Sequence, residues 1–157
     1  MKKLKYIIPI VIILLFFIIF SHNNKKSNLD DTKSAKEVMR TYINAMNSKD
    51  IDIMKKCIYS NKEYNSEYTS FGITSKERLD NIEHIEYIDS EEVPFRETEG
   101  AFKNGKIIKF KEGKRLDVTY NVKYKIENEP EESGKNDFMY SLVKDKEGNY
   151  KIIESGY

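Results

Sequence analysis

Outside a polar N-terminal stretch that holds His22, the sequence has one histidine, His84, and one cysteine, Cys57, to carry chemistry near neutral pH. A lone histidine can act as a general base when a nucleophile or an orienting carboxylate lies beside it. The neighbours of His84, Glu83 and Glu86, belong to an ordinary charged stretch, and His84 reads as a surface or hydrogen-bonded side chain. Zinc sites recruit several histidines or cysteines, which this chain lacks. Cys57 cannot close an intramolecular disulfide; it reads as a small buried apolar residue on a helix face, with a reactive thiol or an intermolecular bridge as the alternative. Two acidic runs, Asp89-Ser90-Glu91-Glu92 and Glu127 to Glu132, miss the alternating ligands and central glycine of a calcium loop, so they read as solvated turns. No catalytic set and no cofactor motif emerges.

The aromatic residues offer more. The chain has 11 tyrosines, 8 phenylalanines and no tryptophan. Tyr59, Tyr64, Tyr68 and Phe71 space rings along a polar segment, where they meet a glycan or a partner protein, or pack onto a sheet edge.

The elements that position these residues can be read from periodicity. Ser34 and Glu37 have the S-x-x-E spacing of a capping box and predict a helix start. Val38, Met39, Tyr42, Ile43 and Met46 then form one apolar stripe. Ser48 is predicted to cap a second short helix whose Ile51, Met54, Cys57 and Ile58 share a face. Residues 60–75 lack a period and read as a loop. Residues 76–90 fit a helical turn over 76–82 followed by a strand over 83–89. From Leu116 to Ile126, apolar and polar residues alternate without a break, which predicts a long strand with one buried face, curved because a strand of that length must twist. Strands at 107–110, 138–143 and 150–153, separated by turns at Glu112-Gly113, at 129–134 and through Gly148, complete an antiparallel meander. Helices first and a meander after predict an α+β domain over 34–157.

The N-terminus differs in kind. Ile7 to Phe20 is an uncharged apolar run of 14 residues preceded by Lys2, Lys3 and Lys5. No small residues stand where a signal peptidase needs them, and no lipoprotein cysteine follows the run. The reading is a cytoplasmic stub over 1–5, a signal-anchor helix over 6–20, a polar tether over 21–33 and a C-terminal domain outside a cell membrane. Secretion after cleavage is the alternative. A helix of this length spans ~22 Å against a bilayer core of ~30 Å, a shortfall that flanking lysines and local thinning can absorb.

Net charge is +1, yet residues 1–26 hold five lysines and no acid. Residues 27–157 therefore carry 22 basic and 26 acidic side chains, a net of −4. That balance argues against a nucleic-acid partner. Abundant lysine, isoleucine and asparagine fit a gene rich in A and T, as in low-GC Gram-positive bacteria.

The segment AKEVMRTYINAMNSKDIDIMKKCI at 35–58 and the closing FMYSLVKDKEGNYKIIESGY at 138–157 resemble the nuclear transport factor 2-like (cystatin-like) fold, especially in secreted domains of clostridia and bacilli. The resemblance implies helices packed on a curved antiparallel sheet that encloses a conical pocket. It places Tyr42, Met46, Tyr120, Tyr124 and Tyr140 along that pocket, as lining for a small apolar ligand. The expected role is non-enzymatic binding of such a ligand or of an envelope protein, with the membrane held through the N-terminal helix. A pocket enzyme of the ketosteroid-isomerase-like kind, which needs an inward carboxylate beside a tyrosine, and a purely structural or inhibitory domain are the alternatives.

Overall fold

A computed structural model describes residues 31–59, 76–101, 107–127 and 132–156. The apolar run and most of its tether lie outside these residues, as do Tyr64, Tyr68 and Phe71. Among the described residues no helix is long and apolar enough to cross a membrane. Ser34–Tyr157 form one compact unit.

Helix α1 occupies 31–48. Its stripe of Ala35, Met39, Tyr42, Ile43 and Met46 is buried, because a 3.6-residue period brings these positions to one face. Ser34 lies within the helix rather than at its start, and the carboxylate of Glu37 accepts a bond from Arg40 Nη1 at 3.2 Å, so no capping box forms there. The helix ends in a Schellman arrangement: Asp50 N–H donates to Ala45 O and Lys49 N–H to Met46 O. Lys49 holds the left-handed position at φ 61°. A lysine there costs more than a glycine would, and its ammonium offsets this by donating to Ile82 O.

Helix α2, Ile51–Cys57, is capped by Asp50, whose carboxylate accepts from Ile53 N–H at 3.0 Å. The expected cap, Ser48, instead bonds back to Asn44 O. The Schellman turn consumes Ser48 as the end of α1, so the next acceptor along the chain takes the N-terminal position. Met54, Cys57 and Ile58 are buried, whereas Ile51 is exposed.

Helix α3, Lys76–Asn81, leads into β1, Ile82–Val93. The chain continues through β2 (Thr98–Ala101), β3 (Ile107–Phe110), β4 (Lys114–Tyr124), β5 (Gly134–Lys144) and β6 (Tyr150–Gly156). The main sheet has the order β1-β4-β5-β6 and is antiparallel throughout, while β2 and β3 form a separate hairpin. Residues 89–92, expected in a solvated turn, belong to β1, which runs on because β4 is long enough to pair it through to Val93. Register shifts interrupt β1 between Ile82 and His84 and between Tyr87 and Asp89. Such bulges add local bend and twist.

The alternation in β5 and β6 divides two cores, with Leu142 and Ile152 on one face and Val143 and Ile153 on the other. On the helix-facing side Leu116, Val118 and Val122 meet the buried face of α1 with Ile85, Tyr140, Leu142 and Ile152. On the outer side Val143 and Ile153 are covered by Tyr59, Phe95, Ile108 and Phe110. Ile58 forms a parallel bridge with Ile152, and Tyr59 N–H donates to Ile152 O, so the chain leaving α2 closes the β6 edge.

Candidate functional site: an aromatic band under the first helix

Strand alternation gathers the aromatic residues on the helix-facing side. Tyr87 on β1 stands opposite Tyr120 on β4, and Phe138 and Tyr140 on β5 stand opposite Val118 and Leu116. Phe138 and Tyr140 lie 5.5 Å apart, and Tyr140 meets Tyr42 of α1 edge-on at 6.4 Å. These are favoured ring geometries. At the β1 edge the Arg40 guanidinium carbon sits 5.2 Å from the Tyr87 ring centroid, within cation–π range. The Tyr87 hydroxyl shares a 2.7 Å hydrogen bond with Ser90 Oγ.

The five residues named from sequence divide into two groups. Tyr42, Met46 and Tyr140 are at most 2% exposed and belong to the closed core. Tyr120 and Tyr124 are half-buried and pack against it, together with Val38, Tyr87 and Phe138. The half-buried part of the band is therefore Tyr87, Tyr120, Tyr124 and Phe138, with Arg40 over the Tyr87 ring. Tyr87, Phe138 and Arg40 were missed. Phe138 was readable, since it precedes Tyr140 by two residues in a strand and must share its face. Tyr87 was not, because 76–90 fits both periods and the bulge after it resets the alternation.

Among the described residues one buried hydroxyl lacks a partner: Tyr42 Oη makes no hydrogen bond. Burial pushes its ionisation well above the usual tyrosine value, and the nearby Cys57 adds to this. Burial also pushes the Cys57 thiol up, against the opposing influence of Lys151. A raised thiol is a poor nucleophile at neutral pH. His84 is exposed and stands opposite Lys123 on the outer side. Among the described residues the buried polar side chains are Ser90, Thr98 and Ser141, none of them a carboxylate. Among the same residues no group of three or more His, Cys, Asp or Glu side chains could hold a metal ion.

A mixed α+β domain with two helices and a third short one around a four-stranded antiparallel sheet, and an aromatic band between helix and sheet, is thus the class in hand. The chain belongs to the family described as "Domain of unknown function (DUF4829)", whose model matches residues 36–156. No curated protein and no solved structure matches it.

Proposed function

We propose that this chain is a membrane-anchored extracytoplasmic domain that binds a small apolar ligand or an envelope protein and catalyses no reaction. The observation that carries the reading is the row of Tyr87, Tyr120, Tyr124 and Phe138, which are partly buried and packed against the core rather than closed within it. Ring faces held by a rigid sheet offer stacking surface at little entropic cost, and a hydroxyl or amide nearby fixes orientation. The lack of a buried carboxylate among the described residues supports binding over proton abstraction. The order of helices before an antiparallel sheet supports the nuclear transport factor 2-like cone as the finer fold. Composition supports a low-GC Gram-positive source.

The charge-free run Ile7 to Phe20, flanked by Lys5 and Lys25, supports the anchor. Cell fractionation with intact-mass measurement tests it. Full-length mass in the membrane fraction is expected, and a truncated soluble product would replace anchoring with secretion. For the binding reading, the full chain in lipid nanodiscs is expected to gain thermal stability with an envelope extract. No shift, and no crosslinked partner, would defeat it.

A further inference from the structure

We infer that the outer edge of β1 takes a strand from another protein, an extended basic segment with lysine or arginine at alternate positions. The surface is a sheet edge rather than the aromatic band, so the inference goes beyond the binding reading above. Among the described residues β1 ends the sheet order β1-β4-β5-β6, and no strand pairs with its other side. At the opposite end of the sheet the chain leaving α2 covers β6 through the Ile58–Ile152 bridge. A strand edge presents a row of backbone N–H and C=O groups that another chain can pair. Part of that row is taken. Asn47 Oδ1 of α1 accepts the Ile85 N–H at 2.9 Å, which closes the start of β1. Further along, the Ser90 N–H is held by the adjacent Asp89 carboxylate at 2.7 Å. An incoming carbonyl can replace that local bond and release the carboxylate for a cation. The open stretch therefore runs from Ile88 to Val93.

The charge of the partner is set by the side chains along this edge. Asp89 stands opposite Thr119 and Glu91 opposite Asp117, so both acids lie on the face away from α1. Glu86, opposite Asn121, joins them because the bulge after Tyr87 adds one residue to the spacing. All three are exposed. Among the described residues no cation pairs with them, whereas Glu83 and Glu92 are tied to Lys123 and Lys114. Directly opposed residues of paired strands stand ~4.5–5.5 Å apart at Cβ, and opposite charges there stabilise the pairing. A second copy of β1 would oppose acid to acid, while a strand with a cation at every second position matches the row. Ile88, left without a β4 partner by the bulge, is 49% exposed and offers the added strand an apolar contact.

The probe is a fluorescein-labelled hexapeptide of alternating lysine and valine. It is titrated by anisotropy into the full chain in phosphatidylcholine nanodiscs, with empty nanodiscs as blank. Saturable binding is expected, and a glutamate–valine counterpart should not bind. With lysines opposite Asp89 and Glu91, a valine stands opposite Ser90. Methylating the valine backbone nitrogens removes the donors that face β1 and keeps every charge, so binding should weaken about tenfold. Asp89→Asn with Glu91→Gln should weaken the unmodified probe about fivefold, the scale of two cross-strand charge pairs. Asparagine at 89 keeps an acceptor for the Ser90 N–H, and both positions are exposed, so the fold should be retained. Full affinity of the methylated probe would overturn strand addition. Affinity unmoved by the double substitution, or equal binding of the glutamate–valine peptide, would overturn the basic partner. No binding of the lysine–valine probe would overturn the β1 edge as a docking surface.

Discussion

Tyr42 is the residue on which the interior is least settled. Its ring packs well, yet its hydroxyl is buried with no acceptor, which costs roughly 1–3 kcal/mol. Tyr42→Phe is expected to leave stability unchanged or raise it by about 1 kcal/mol, measured by urea unfolding. The same hydroxyl gives a pH signature. Its folded ionisation lies above its unfolded value, so the stability it confers is complete below pH ~10 and is lost as pH rises through the folded value. Wild type should therefore lose about 1.4 kcal/mol per pH unit between pH ~10 and the folded value, relative to Tyr42→Phe. Unfolding curves of both at pH 9 and pH 11 check this, and parallel losses would remove Tyr42 as the cause. Gly113 is a second residue-scale constraint. A Cβ there would lie 2.4 Å from Leu142 O and 2.6 Å from Phe95 Cε2. The carbonyl belongs to β5 and cannot yield cheaply, so Gly113→Ala should cost about 2 kcal/mol or more, read as a lowered melting temperature. Nothing in the sequence beyond a glycine in a predicted turn pointed to this close approach.

At the scale of elements, β1 explains its own composition. It is a 12-residue edge strand, and an unprotected edge of that length invites pairing with another chain. Two bulges interrupt it, Asn47 Oδ1 takes the Ile85 N–H, and the Asp89 carboxylate takes the Ser90 N–H. Glu86, Asp89 and Glu91 remain exposed, so a second copy pairing here would set acid against acid. The double change Glu86→Val and Glu91→Val should leave the urea midpoint nearly unmoved but speed aggregation several-fold at 37 °C by light scattering. An unchanged rate would mean the bulges alone protect the edge. The acidic run was legible as a run and misplaced as a turn, since spacing cannot show that β4 is long enough to pair it. The α1–α2 junction shows the same limit. Ser48 and Asp50 are both good caps by type, and the Schellman turn chose between them.

For the whole molecule, two cores on opposite faces of one sheet make 34–157 a unit. The strands that carry both cores, β5 and β6, are the same strands, so the helical layer and the β2–β3 hairpin should not melt apart. Residues 34–157 produced alone are expected to unfold in one transition, with near-ultraviolet and far-ultraviolet dichroism coincident. Separate transitions would show that the outer core is an independent layer. The half-buried rings belong to this scale too, because they depend on how far α1 covers the sheet.

By itself the sequence determined the α+β class, the stripe of α1 and the alternation of β4, because local periodicity decides which face of a helix or strand can be buried. The resemblance to the nuclear transport factor 2-like fold, not periodicity, set Tyr42, Met46, Tyr120, Tyr124 and Tyr140 on one side. Only the tertiary structure decided that Tyr42, Met46 and Tyr140 close the core while Tyr120 and Tyr124 stay half-buried against it, as do Tyr87 and Phe138. That division depends on register, bulges and helix placement, which arise from contacts between residues far apart in the chain. His84 and Cys57 ended in unremarkable places, one exposed and one buried. Residue type names what chemistry a side chain can do, whereas its neighbours in space decide whether it does it.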